Sequence, residues 1–333
     1  PLVPVANKSL IVYAIEMMRD GGLNNVGIIV NSLESPICTA LGDGASIGVK
    51  IEYIIQKEQL GLAHAVSLAR DFVGDEPFGM FLGDNIFQDK MGDLMRGFIN
   101  SSAEAAVALG EVADPTRFGI AEVKDEKIVR VVEKPKEPPS NLAISGVYLF
   151  RPSIFEAIGN IKPSWRNELE ITDAIQELIN QGNPVQAYKI NGWWIDAGKP
   201  DAIIQANQLV LGDLPFTPAP EGENIVKSDV SHRVILGKDT KIINSVVRGP
   251  VILGNNVTIK DSYIGPYTSI GDSCMIENSE IDASIVMREC VVRSISGRID
   301  SSLIADNSEV TSSQQKLPAA RRFVLAENSY VQL

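Results

Sequence analysis

Residues 79–85 read Gly79-Met80-Phe81-Leu82-Gly83-Asp84-Asn85, an apolar run that stops on a carboxylate. Such a run predicts a buried strand whose end, turned at a glycine, lifts one charge to the rim of a sheet. In open α/β sheets that rim, outside the carboxyl ends of the strands, is where ligands bind. Residues 192–198, Gly192-Trp193-Trp194-Ile195-Asp196-Ala197-Gly198, repeat the arrangement much later in the chain. Asp84 and Asp196 converging on one cleft would hold a hard divalent cation. Mg²⁺ bound by one or two carboxylates commonly shares its sphere with phosphate oxygens, so the pair points to phosphoryl or nucleotidyl chemistry. The competing reading of each is an aspartate that merely caps a turn.

Working outward from this run, the first two hundred or so residues alternate between helix and strand patterns. Ser9 can cap a helix over 10–19 that Gly21-Gly22 ends, and 26–30 is a β-branched strand. A strand over 49–55 leads through Gly61 into a helical stretch over 62–72, and the strand 78–82 follows. This order predicts an α/β fold, a mostly parallel Rossmann-like sheet covered by helices on both faces. An alternating segment, 127–132, follows 119–124 across Asp125-Glu126 and predicts a hairpin. A cap-rich stretch from Ser164 opens a further helix that Gly182 stops.

The pattern breaks at a Pro-rich connector over 213–224. Beyond it Leu236, Leu253 and Ile270 fall 17 residues apart, each followed by glycine. Ile242, Ile259 and Ile276 keep the same step, as do Val247, Ile264 and Ile281. Within a unit the aliphatic residues are spaced 6, 5 and 6, a degenerate hexapeptide rhythm of three short strands per coil. That predicts a parallel β-helix over 225–333, after a first domain over 1–212. The rhythm fades after Ile281, and 322–333 looks like a closing strand. Coils of this kind suggest acyltransferases, but those need a general base. The chain has only two histidines, His64 and His232, and His232 precedes the regular coils. A structural or assembly role for the β-helix fits better.

Composition bounds the function further. With 333 residues, 44% hydrophobic and 22% charged, the chain is an ordinary globular protein long enough for two cores. A formal charge of -12 without a basic run argues against a nucleic-acid partner. No apolar run is long enough to span a bilayer, and the start, Pro1-Leu2-Val3-Pro4-Val5, lacks the pattern of a signal peptide. Cys38, Cys274 and Cys290 show no metal-ligand spacing and are expected to be buried thiols in a reducing, cytoplasmic compartment.

Glu133-Lys134-Pro135 places a carboxylate beside an ammonium, a combination suited to a sugar phosphate, though an exposed charged turn reads equally well. Gln56, at a strand end before Gly61-Leu62-Ala63, offers a donor and an acceptor to a pyrimidine edge. Gly61 permits close backbone approach, and Gly119 and Gly146 could present amides to a ligand or serve packing alone.

The ordered series Pro1–Lys8, Gln56…Gly61-Leu62-Ala63, Leu82-Gly83-Asp84-Asn85, Phe118-Gly119, Glu133-Lys134-Pro135, Ser145-Gly146-Val147-Tyr148, Glu168–Asp173 and Trp194–Gly198 resembles sugar-phosphate nucleotidyltransferases. The resemblance is nearest to long-form glucose-1-phosphate thymidylyltransferases with a C-terminal left-handed β-helix. It implies that dTTP and glucose 1-phosphate give dTDP-glucose and pyrophosphate by in-line attack on the α-phosphorus. Carried over motif by motif, Asp84 and Asp196 would bind Mg²⁺, and these two with Lys134 would carry catalysis. Gln56 and Gly61 would read the base, while Gly119, Glu133 and Gly146 would hold glucose, with Lys134 on its phosphate. Use of UTP or ATP, or a non-catalytic role as a nucleotide-sugar-binding regulator, are the alternatives. Parallel β-helices often pack on copies of themselves, so a homo-oligomer is expected. The family also opens with a strand and a Gly-rich loop that wraps the triphosphate, and neither is present in these residues. On that ground the chain as written is expected to bind nucleotide poorly and to turn over weakly if at all.

Overall fold

The computed structural model of the chain describes residues 1–312. They fall into two compact units, one of Pro1–Pro4 with Lys8–Ala206, the other of Val5–Asn7 with the residues from Asn207 on.

In the first unit, helix α1 (Leu10–Asp20) buries Leu10, Ile11, Ala14 and Ile15, the one-face spacing of an amphipathic helix, and ends at Gly21. Ser9 occupies the N-cap position, but its side chain makes no capping bond. The first amides are satisfied instead by backbone: Leu10 donates to the Val3 carbonyl and Ile11 to that of Pro1. Strands β1 (Asn25–Val30) and β2 (Lys50–Ile55) pair in parallel, Asn25 opposite Lys50 through Val30 opposite Ile55. The helical stretch that follows is two pieces, α2 (Leu62–Leu68) and α3 (Arg70–Val73). At the junction Ala69 N–H bonds the carbonyl of Val66, three residues back, so the helix tightens and breaks there.

The main sheet comprises β3 (Phe78–Phe81), β5 (Ala105–Glu111), β6 (Gly119–Lys124), β7 (Lys127–Glu133), β8 (Leu142–Phe150) and β9 (Val185–Lys189), after β4 (Asn85–Phe87) has left it. Its order is β3-β8-β5-β9-β7-β6. β9 runs parallel to β5, while β8 lies antiparallel to both β3 and β5. β6 and β7 form the expected hairpin, with Asp125 and Glu126 both at positive φ, as a two-residue turn matched to strand twist requires. Helix α4 (Ile171–Asn180) lays Ile171, Ala174, Ile175 and Leu178 into the core formed with Val107, Ala121 and Phe150. The unit is thus a Rossmann-like α/β fold. Among the described residues β1 pairs only with β2 and β3 only with β8, so each keeps an open edge. Residues of both strands, with Ile11, Ile15, Phe72 and Gln56, line one cavity of about 900 Å³.

No helix or strand lies between Gly212 and Ile225, across the Pro-rich connector. Beyond it the second unit is a parallel β-helix of three stacked sheets. Ile225, Ile242, Ile259 and Ile276 stand in register on successive coils. The stack continues where the sequence rhythm fades: Ile276 pairs with Val292, and Val292 with Val310. Those steps are 16 and 18 residues, so a shortened coil followed by a lengthened one hides the period without breaking the stack. Serines bind coil to coil, Ser228 Oγ accepting from Ser245 N–H, Ser245 Oγ from Ser262 and Ser262 Oγ from Ser279. The glycines at the coil corner are needed for close approach: a Cβ on Gly237 would lie 2.3 Å from the Gly254 carbonyl carbon. Cys274 and Cys290 are buried thiols in this core, while Cys38, in the first unit, is only half-buried. The closing strand expected over 322–333 lies outside the described residues. Among the described residues no helix is long and apolar enough to cross a membrane.

Candidate active site

Asp84 and Asp196 are brought together by one short ladder. Strand β4 pairs antiparallel with β10 (Trp194–Asp196), setting Asp196 opposite Asn85, and Ala197 N–H bonds the Asp84 carbonyl at 2.9 Å. Buried Asn85 orients the first carboxylate, its Nδ2 donating to Asp84 Oδ1 at 2.8 Å while its Oδ1 accepts from Trp194 Nε1 at 2.6 Å. Trp194 is in turn wedged between Phe87, stacked at 6.5 Å, and Phe118, edge-on at 5.6 Å. Gly110 makes room for it, since a Cβ there would sit 2.6 Å from the indole ring. Burial, and then the charge of Asp84, raise the Asp196 pKa, so the two carboxylates repel across the cleft. Their donor set, hard carboxylate oxygens whose repulsion the Gly198 amide, Arg117 and Lys199 offset only in part, suits a hard divalent cation that completes its sphere with phosphate and water. No cluster of three or more metal-ligating side chains occurs among the described residues.

Glu133 ends β7 directly opposite Gly119, and Lys134 follows at positive φ, its amide bonded to the Phe118 carbonyl. Thr172 Oγ1 donates to Glu133 Oε2 at 3.2 Å, and Lys134 Nζ stands 3.7 Å from Glu133 Oε1. A Cβ on Gly119 would come within 2.7 Å of Thr172 Cγ2 and 3.1 Å of Glu133 Oε2, so a side chain there would push on both partners of the Thr172–Glu133 bond. Desolvation, then the charge of Glu170, raise the Glu133 pKa against the opposing pull of Lys134, Thr172 and Arg166.

Arg166 was not singled out from the sequence, where it lay inside a stretch that signalled only helix capping. It lies 3.7 Å from Glu133, 2.9 Å from Glu168 and 3.4 Å from Glu170, one guanidinium among three carboxylates. A planar fork of five donors can serve several acceptors at once, which a lysine point charge cannot. Glu170, buried and also bonded by Ser164 Oγ, anchors the group.

Gln56 follows β2, and its Nε2 reaches the Gly61 carbonyl at 3.3 Å and His64 Nδ1 at 3.0 Å. Gly61 has φ +102, and a Cβ there would lie 2.5 Å from the Leu169 carbonyl oxygen. Its lack of a side chain is used by protein backbone: Leu169 N–H bonds Leu60 O, and Ala63 N–H bonds Leu169 O. Gly146, at φ +87, similarly meets Leu82 and accepts from its amide at 2.9 Å. A single run of contacts therefore joins the groups: Gln56 to Gly61, Gly61 to Leu169, its neighbours Glu168 and Glu170 to Arg166 and Glu133, and Phe118 beside Gly119 to Trp194, Asn85 and the aspartates.

A Rossmann-like α/β unit that holds two aspartates together on a short separate ladder, and carries an anchored Glu-Lys pair, is suited to handling a phosphate-bearing ligand. The nucleotidyl transferase family matches residues 1–212, and the chain belongs to it. Over its full length it is 43% identical to the low-salt glycan biosynthesis nucleotidyltransferase Agl11 of Haloferax volcanii, covering 93% of that protein. It is 42% identical to a glucose-1-phosphate thymidylyltransferase of Streptomyces griseus, again over the full chain and 93% of the relative. Among solved structures it is similar to a Bacillus anthracis protein assigned as a glucose-1-phosphate thymidylyltransferase, crystallised with sucrose. The TM-score is 0.59 at 36% identity, over 65% of this chain and 87% of that one.

Proposed function

We propose that this sugar-phosphate nucleotidyltransferase uses dTTP and glucose 1-phosphate to make dTDP-glucose and pyrophosphate. The observation that carries the reading is the unbroken run of contacts from Gln56 to Asp84 and Asp196, together with the full-length similarity to a thymidylyltransferase. In this reading a phosphate oxygen of the sugar phosphate attacks the α-phosphorus in line, and pyrophosphate departs with the electron pair of the broken bond. Lys134 meets the sugar phosphate as a point charge. Glu133, held by Thr172 and Arg166, accepts from sugar hydroxyls, with the backbone at Gly119 and Gly146 beside it. Gln56 and the backbone at Gly61 contact the base. Asp84 and Asp196 would hold Mg²⁺, which when bound neutralises phosphate charge. The chain itself contributes positioning and fixed charge, with no covalent enzyme intermediate.

The test is pyrophosphate release by the full-length gene product with dTTP, UTP, ATP and CTP, each supplied with glucose 1-phosphate. Release fastest with dTTP is expected, and none with any nucleotide would sink the enzyme reading in favour of a binding role. UTP is the second reading, because the Gln56 amide meets the same groups on uracil as on thymine. For the cation pair, Asp84→Asn should lower turnover about 100-fold or more. Unchanged Mg²⁺-dependent turnover in that variant would remove Asp84 from the metal site.

A further inference from the structure

His64 was left without a role by the motifs, yet its ring is one of two groups that, among the described residues, stand within hydrogen-bond distance of the Gln56 amide nitrogen. The hydrogen-bond directions around that nitrogen follow from one fixed point. The Gly61 carbonyl can only accept, so the atom facing it at 3.3 Å must be the amide nitrogen of Gln56 and not its oxygen. The second amide hydrogen then points at His64 Nδ1, 3.0 Å away. A ring nitrogen facing a donor has to be the acceptor, which assigns His64 the tautomer with its hydrogen on Nε2. His64 sits on the first turns of α2, where Ser67 Oγ also donates to its carbonyl at 2.7 Å. With both amide hydrogens committed, the Gln56 oxygen is the part of the side chain left to meet a ligand, and it can only accept.

We propose that His64 is a positioning residue that fixes the polarity of the Gln56 amide, so that the site selects bases with a protonated ring nitrogen on their pairing edge. Thymine and uracil carry such an N3–H. Cytosine presents a bare N3 there, and adenine a bare N1, which would set acceptor against acceptor. Without His64 the carbonyl of Gly61 alone holds the amide, and a flipped Gln56 could offer its nitrogen to cytosine. The inference rests on the reading of Gln56 as the residue that contacts the base.

Steady-state kinetics with dTTP and CTP, at saturating glucose 1-phosphate, test it in three variants. His64→Leu should lower the dTTP-over-CTP ratio of kcat/KM about tenfold, mainly by raising KM for dTTP, while KM for glucose 1-phosphate stays put. His64→Asn, whose side-chain oxygen can accept where Nδ1 did, should restore the ratio to within about twofold of the original. A ratio unchanged in His64→Leu, or equally lost in His64→Asn, overturns the proposal. Gln56→Leu separates the two layers. If it leaves the ratio intact, Gln56 does not read the base and both readings fall. If it collapses the ratio while His64→Leu does not, only the role of His64 falls. Imidazole ¹⁵N shifts of the unaltered protein give an independent reading that needs no variant to fold. A proton on Nε2 is expected, and one on Nδ1 overturns the proposal.

Discussion

Glu133 shows how much of this site is decided by single side chains. Its pKa is raised chiefly by burial and then by Glu170, so the folded chain holds the proton more tightly than the unfolded chain does. The sign follows from linkage: this proton contributes stability that is full below the ordinary carboxylate pKa and is lost as pH rises through the higher folded value. Substrate-free protein should therefore lose stability across that window, and Glu133→Gln, which cannot ionise, should flatten the loss. Urea unfolding at a series of pH values, with and without glucose 1-phosphate, checks this; an identical slope in the variant contradicts it. The same variant should bind the sugar phosphate more weakly, since an amide accepts less well than a carboxylate from sugar hydroxyls. Asp84, Asp196, Glu133 and Lys134 were all visible in the sequence because charge at the end of an apolar run is unusual. Arg166 was not singled out, and Asn85 and His64 were named without a role of their own, because their importance lies in which partners they meet, such as Trp194, 109 residues from Asn85.

At the scale of elements, the loop from Leu60 to Ala63 and the segment around Leu169 behave as one piece, tied by two backbone hydrogen bonds. Gly61→Ala must either abandon φ +102 or push the Leu169 carbonyl away, at a cost on the order of 2 kcal/mol. Thermal unfolding should register that loss, and KM for the nucleotide should rise with it, since Gln56 bonds the carbonyl of Gly61 itself, which shifts if its φ changes. A fully stable Gly61→Ala protein would show that the loop has slack the contacts do not suggest. Sequence patterns located the helix 10–20, the strands at 25–30, 50–55 and 78–81 and the hairpin 119–133 to within a residue or two, because periodicity and turn chemistry are local, but left strands such as 105–111 and 142–150 unplaced. They failed where backbone hydrogen bonding overrode a side-chain signal. Ser9 is a good capping residue left idle because Val3 and Pro1 supply the bonds, and the stretch 62–72 has helical periodicity yet breaks at Ala69.

At the scale of the whole molecule, the β-helix is a sum of near-identical neighbour contacts, so its stability rests on how well each coil fills the core. Ile259→Ala removes a wholly buried side chain between in-register Ile242 and Ile276, and should cost about 2–5 kcal/mol. Denaturant unfolding followed by circular dichroism measures it, and a loss below about 1 kcal/mol would mean the neighbouring coils close over the gap. The order of elements, the repeat and its period, and the two aspartates at the rim were determined by the sequence itself. Hydrophobic periodicity, glycine turns and charge placement are local properties that can be read one window at a time. Only the tertiary structure decided that Asn85 and Trp194 aim Asp84, that Arg166 gathers three carboxylates, that uneven coils of 16 and 18 residues continue the stack, and which way the Gln56 amide faces. Each depends on the angle and distance at which backbone and side chains meet in space, whether the partners are 109 residues apart, as Asn85 and Trp194 are, or eight, as Gln56 and His64 are. Residue order alone does not state that geometry.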